Sequence, residues 1–84
     1  MRNCYLCGST KNVQKHHVFG GANRKHSEIY GMTADLCLYC HTGSNQAVHM
    51  NIESNLALKQ HFQRIFEEVY SREEFMKIFG RSYL

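Results

Sequence analysis

The segment that decides the fold is CLYCHTG, residues 37–43, in which a histidine directly follows a Cys-x-x-Cys pair. A second pair with the same spacing, CYLC, lies upstream at residues 4–7, and residues 8–36 separate the two pairs. Two residues between cysteines allow both sulfurs of a pair to bind one ion, and two such pairs complete a tetrahedral zinc site. We therefore predict a structural Zn²⁺ held by Cys4, Cys7, Cys37 and Cys40.

The composition favours one folded intracellular domain. A chain of 84 residues is the size of a single domain, and 43% hydrophobic residues exclude a disordered chain. We expect no leader, no membrane segment and a cytoplasmic location, where paired cysteines bind metal more often than they form disulfides. Disulfides and a redox Cys-x-x-Cys remain alternatives, but the redox interpretation requires a βαβ unit that this chain is too short to contain. The net charge of +3 permits a nucleic acid as partner without requiring one.

The residues between the cysteine pairs predict a β-hairpin with a wide loop. NVQKHHVF, residues 12–19, has the β-branched and aromatic residues of a strand, which a Gly-Gly pair ends. ANRKHSEIYG, residues 22–31, predicts one or two helical turns closed by Gly31, and MTADLCL, residues 32–38, predicts the second strand. Because neighbouring side chains of a strand point to opposite faces, His16 and His17 cannot both be core residues of one face.

The second half of the chain predicts two helices. From residue 52 to about residue 70 apolar residues recur at helical spacing, in a line formed by Leu58, Phe62, Ile65 and Val69, and Asn51 is the candidate N-cap. SREE, residues 71–74, has the pattern of a capping box, and the helix that follows ends before Gly80. The predicted fold class is α+β: one domain over residues 1–84, with zinc knuckles and hairpin in 4–50 and helices in 51–84.

The motif HHVFGG between two Cys-x-x-Cys pairs, with CLYCHTG at the second, resembles the HNH nuclease superfamily and its ββα-metal fold. It is most similar to small phage-type members, of the recombination-enhancement nuclease type. The resemblance covers residues 4–50. It implies a zinc-stapled hairpin plus helix, here with an additional C-terminal helix, and a DNA endonuclease that acts in phage-related DNA processing or recombination inside the bacterial cell.

The resemblance also implies roles for four histidines. His16 would bind the catalytic metal, and His17 would be the general base that activates water. His41 would be a second metal ligand, and His49 the third. The metal would be a divalent cation such as Mg²⁺, Mn²⁺, Zn²⁺ or Ni²⁺, which leaves open positions for phosphate oxygens. A neutral imidazole suits the base because it can accept a proton at physiological pH.

One position departs from the pattern of the family. The middle asparagine of the family is replaced by Met32, and the polar residues nearby are Thr33 and Asp35. His49 is inferred from spacing, so His26 or a carboxylate, that of Asp35 or of Glu53, is an alternative third ligand.

Basic residues in the hairpin are the candidates for contacts with DNA. Arg24 and Lys25 lie in the loop beside the predicted metal site, and Lys15 lies next to the paired histidines. The alternative function, from another class, is a non-catalytic zinc module that binds nucleic acid or protein. The replaced asparagine favours this alternative, whereas the adjacent histidines favour the nuclease.

Overall fold

In the computed structural model, which describes residues 2–84, two short strands pair as an antiparallel hairpin. Strand β1 is Gln14–His17 and strand β2 is Thr33–Leu36, with Gln14 opposite Leu36 and His17 opposite Thr33. The predicted alternation is present, because His16 is buried whereas its neighbour His17 is partly exposed. Both predicted strands form, and each is shorter than its apolar pattern.

The loop of the hairpin contains the helical turns that the sequence predicts. A 3-10 turn at Gly21–Asn23 leads into helix α1, Arg24–Ile29, and Gly31 follows with a φ of 71°, in the left-handed region. The fully buried hydroxyl of Ser27 accepts a hydrogen bond from the Phe19 amide at 3.1 Å and donates one to the Phe19 carbonyl at 2.7 Å. These two bonds fix α1 against the end of β1.

The second cysteine pair lies on a helical turn. The sequence predicts that the second strand continues to residue 38, but β2 ends at Leu36 and helix α2 occupies Leu38–His41. The turn closes because the amide of Gly43 donates to the carbonyl of Leu38 at 2.7 Å. A Cβ at Gly43 would lie 3.0 Å from that carbonyl oxygen, a tight contact, so this close approach favours a glycine.

Helices α3, Ile52–Glu67, and α4, Arg72–Phe79, complete the fold. Both predicted caps are confirmed: Asn51 Oδ1 accepts from the amide of Ser54 at 3.0 Å, and Ser71 Oγ accepts from that of Glu74 at 3.1 Å. Helix α3 ends earlier than predicted. Val69, which the periodicity assigns to the apolar line, is 77% exposed because it lies past the helix end, where helical spacing no longer applies.

The core lies between the hairpin and the two long helices. Phe19 packs against Phe75 and Phe79, with ring centroids 5.2 Å and 4.6 Å away, and so joins the end of β1 to α4. Phe66 of α3 contacts the same two rings. The molecule is thus a small α+β protein whose two-stranded hairpin packs on helices. Within residues 2–84, none of the helices is long and apolar enough to cross a bilayer.

Candidate metal centre

The four cysteines, distant in sequence, converge on one point. Their sulfurs all lie within 4.8 Å of one another, and the Sγ atoms of Cys7 and Cys37 are 3.5 Å apart. Four sulfurs bound at 2.3 Å to a tetrahedral ion lie about 3.8 Å from each other, so this spacing fits a structural metal such as zinc. The first pair is placed by a turn in which the Gly8 amide donates to the carbonyl of Cys4 at 2.9 Å.

The electrostatics of this cluster favour a cation at its centre. Burial raises the pKa of the Cys4 thiol, but backbone N–H groups, those of Cys37 and Cys7 foremost, outweigh burial and lower the pKa to about 6. Burial, and then hydrogen bonds with the other three thiols, raise the pKa of Cys40 above its usual value. The Cys4 thiolate is therefore stabilised, whereas the Cys40 thiol resists ionisation. A divalent cation at the centre would compensate the negative charge of the thiolates and so favour ionisation of Cys40.

Three histidines from different segments form a second group, which we call the histidine trio: His16, His41 and His49. One ring nitrogen of each lies within 4.8 Å of the other two. The centroids of the rings are 4.5 Å to 5.2 Å apart. His16 Nε2 is buried and has no hydrogen-bond partner among the described residues. An orphaned buried nitrogen that faces two other imidazoles fits a metal ligand.

The backbone explains how His49 reaches this group. The amide of His49 donates to the carbonyl of His41 at 3.1 Å, and the amide of Val48 donates to that of Cys40 at 2.9 Å. These bonds hold the loop before α3 alongside α2. The same residues therefore connect the two clusters, since Cys40 belongs to the cysteines and the next residue, His41, to the trio.

The environment keeps two of the trio neutral. Burial, and then the neighbouring His49 and His41, lower the pKa of His16 to about 4. Burial and His49 also lower the pKa of His41. Gln14 Oε1 lies 3.3 Å from His41 Nδ1, and because an amide oxygen only accepts, it favours the hydrogen on Nδ1 and leaves Nε2 as the free lone pair. Neutral imidazoles with free lone pairs are the form that binds metal.

His17 lies beside the trio and has a partner of its own. Its Nε2 atom is 2.7 Å from Glu28 Oε2, and 18% of its side chain is exposed. Because an ionised carboxylate can only accept a hydrogen bond, Nε2 carries the hydrogen, and Nδ1 of a neutral ring keeps its lone pair. The hydrogen bonds from Lys15 and His17 lower the pKa of Glu28, which favours its ionised form. This arrangement can orient an imidazole that accepts a proton.

An open cleft along the trio carries two of the three predicted basic residues. Lys15 and Arg24 line it together with His17 and the trio. The ammonium group of Lys15 also pairs with Glu28 Oε1 at 2.8 Å, so its charge is partly compensated. Arg24 is exposed, and Lys25 is exposed but is not among the residues that line this cleft.

The alternative third ligands have other surroundings. Nδ1 of His26 lies 3.1 Å from the carbonyl oxygen of Ile78, and Asp35 pairs with Arg2 at 2.6 Å. Among the described residues, the metal-ligating groups around the trio include neither of these side chains, nor that of Glu53.

Met32, at the position of the missing asparagine, is a core residue that is 5% exposed. Its backbone nevertheless links the residue after β1 to helix α1 through two hydrogen bonds. Its carbonyl accepts from the amide of Val18 at 3.1 Å, and its amide donates to the carbonyl of Ser27 at 2.8 Å. The residue after His17 is therefore fixed by backbone hydrogen bonds that do not depend on the side chain at position 32.

Several residues of the site were not predicted from the sequence. Glu28 and Gln14 hold His17 and His41, and Asn55 and Lys59 line a second cleft beside the trio. Asn55 and Lys59 share one face of α3, four positions apart, but this spacing does not show which part of the fold that face meets. No local pattern links Glu28 to the histidines, since that contact depends on how α1 folds back.

Comparisons with known proteins add no evidence on the function of this site. No protein-family model matches the chain, and searches of curated proteins and of solved structures find no significant match.

Proposed function

We propose that this protein is a metal-dependent DNA endonuclease of the HNH type, which hydrolyses phosphodiester bonds in phage-related DNA processing or recombination. The observation that carries the proposal is that two adjacent histidines have different surroundings. His16 is buried in the trio with an orphaned nitrogen, whereas His17 lies outside it, paired with Glu28 at the edge of the same cleft.

The proposal assigns two metals to two clusters. A zinc ion bound by the four cysteines would stabilise the fold. The histidine trio would hold a divalent cation, Mg²⁺, Mn²⁺, Zn²⁺ or Ni²⁺, which when bound supplies stabilisation of negative charge on the phosphate and on the leaving oxygen. Three protein ligands leave coordination positions free for a substrate.

His17 is the general base of the proposed reaction. It takes a proton from a water molecule whose oxygen forms a bond to phosphorus, while the bond from phosphorus to the 3′ oxygen breaks. The leaving oxygen gains a proton from solvent, so the products are a 3′ hydroxyl and a 5′ phosphate. Glu28 orients the ring and stabilises the imidazolium that forms. Arg24 binds the DNA backbone beside the trio, and the charge of Lys15 supports it.

Cleavage of supercoiled plasmid DNA in each of the four metals tests this function. We expect His17→Ala to lower the cleavage rate about 10²- to 10⁴-fold, the usual contribution of a general base, with the zinc content unchanged. His61→Ala is the matched control, because His61 is an exposed histidine of α3 that does not line the cleft. Equal cleavage by His17→Ala and the wild type contradicts the assignment of the base.

The second candidate function is a non-catalytic zinc module that binds nucleic acid or protein. Burial of Met32 favours it, since an apolar core residue takes the place of the polar residue that the HNH pattern has. A wild-type protein that holds zinc and binds DNA, but cuts no plasmid in any of the four metals, supports this alternative over the nuclease.

A further inference from the structure

A second cleft lies on the helix side of the histidine trio. His16, His17 and His49 line it, as they line the cleft of Arg24, but its far wall comes from α3 and from the segment after α4. That wall contributes Asn55, Lys59 and Tyr83. The two clefts therefore share three histidines and adjoin each other at the histidine trio.

Two cations lie close to the ring of Tyr83, and of these Lys59 lines the cleft. Lys59 Nζ lies 5.0 Å from the centroid of the Tyr83 ring, and Arg81 Cζ lies 4.8 Å from it. Burial and the charge of Arg81 lower the pKa of Lys59. Within residues 2–84, the ion pairs include no carboxylate bonded to either side chain. Lys59, which lines the cleft beside a group of histidines and has no acidic partner among the described residues, is suited to binding an anion, and Arg81 adds positive charge nearby.

This wall is held in place by hydrogen bonds to α3. The buried side chain of Gln63 accepts from the Tyr83 amide at 2.8 Å and donates to Ser82 Oγ at 3.0 Å. Gln60 Nε2 donates to the carbonyl of Tyr83 at 2.8 Å. These bonds hold the segment that carries Tyr83 against α3, and Lys59 Nζ lies over the ring of that residue.

We propose that Lys59 binds a phosphate of the DNA strand next to the scissile phosphate, in the cleft that shares His16, His17 and His49 with the cleft of Arg24. The inference rests on the proposed nuclease function. One strand then runs from the cleft of Arg24, across the trio, into the cleft of Lys59. Lys59 is partly buried and held over an aromatic ring, so it loses less side-chain freedom on binding than an exposed lysine does.

Binding of a fluorescein-labelled 20-base-pair DNA duplex to the zinc-loaded protein, without added divalent metal, tests the inference. We expect Lys59→Gln to raise Kd about fivefold at low salt and to flatten the log–log salt dependence by about 0.9, the value for one phosphate contact. Lys59→Arg restores the charge and should bind as the wild type does. Lys77→Gln is the matched control, because Lys77 is an exposed lysine of α4 that lines neither cleft.

The same variants in the plasmid assay separate this inference from the proposed function. If the wild type binds DNA but never cuts, the nuclease proposal fails, and the Kd and salt slope of Lys59→Gln still decide the phosphate site. If the wild type cuts and Lys59→Gln matches Lys77→Gln in Kd, slope and cleavage rate, the inference is overturned and the nuclease stands. A wild type that neither binds nor cuts DNA overturns both. Zinc content and thermal melting of each variant exclude misfolding as the cause of a loss.

Discussion

At the scale of single residues, Glu28 is the side chain whose function is most sharply defined by its contacts. It accepts from His17 Nε2 at 2.7 Å through one oxygen and from Lys15 Nζ at 2.8 Å through the other. Glu28→Gln keeps an oxygen that can accept from the ring but removes the charge that would stabilise the imidazolium of the proposed reaction. We expect kcat for DNA cleavage to fall about tenfold or more, with KM close to that of the wild type.

Lys15→Gln provides the contrast to Glu28→Gln. It removes the other partner of the same carboxylate and a basic residue of the cleft, so we expect a higher KM with a smaller change in kcat. Glu28→Asp, which keeps the charge, should recover part of the lost kcat. If Glu28→Gln keeps the kcat of the wild type, the charge of Glu28 does not contribute to catalysis by stabilising the imidazolium.

At the scale of helices and strands, the cap of α3 links stability to the histidine trio. Asn51 Oδ1 caps the helix, and its Nδ2 donates at 3.2 Å to the carbonyl of Asn45, in the loop that carries His49. Asn51→Ala should lower the free energy of unfolding by about 1 kcal/mol and weaken binding of a second metal ion. Ser71→Ala, which removes the cap of α4, should cost about the same stability without affecting that metal, as urea unfolding and metal titration will show. Equal metal affinity in both variants contradicts the link.

The elements also show how much of this protein was predictable from its sequence. Caps such as Asn51 and Ser71 were correctly predicted because a cap depends on residues within one turn. The exposure of Val69 was not predicted, because helical periodicity does not show where the helix ends. The convergence of His49 on the trio was inferred from spacing alone. The approach of Glu28 and Lys59 to the site depends on how α1 and α3 pack on the hairpin, which no local pattern encodes.

At the scale of the whole molecule, the geometry of the histidine trio depends on the cysteine cluster, whereas the cysteine cluster does not depend on the trio. The cysteine cluster brings the segment before β1 next to β2 and α2, so a metal ion bound there would close the hairpin. The trio depends on that closure, because the residue next to Cys40 is His41, and His49 is hydrogen-bonded to it. The cysteines, by contrast, receive no ligand from the trio. In the proposed two-metal arrangement, loss of the cysteine-bound ion should therefore eliminate the site at the trio, whereas loss of the ion at the trio should leave the cysteine site intact.

Chelation in two stages tests this dependence. Zinc bound by four thiolates contributes about 10–16 kcal/mol to folding, and a small domain has about 5–15 kcal/mol of total stability, so removal of the zinc should unfold the protein. A weak chelator should remove the second ion and leave the far-ultraviolet circular dichroism unchanged, whereas a strong one should remove the zinc together with the helical signal. Cys37→Ser, which changes a buried ligand, should bind neither metal, and His49→Ala should keep one zinc and a melting temperature close to that of the wild type. Two results would contradict this dependence: Cys37→Ser that melts as the wild type does, or elemental analysis that finds no zinc together with mass spectrometry that finds two disulfides. Either result means that the four cysteines do not hold the fold through a metal. The trio must then be positioned by the aromatic core alone.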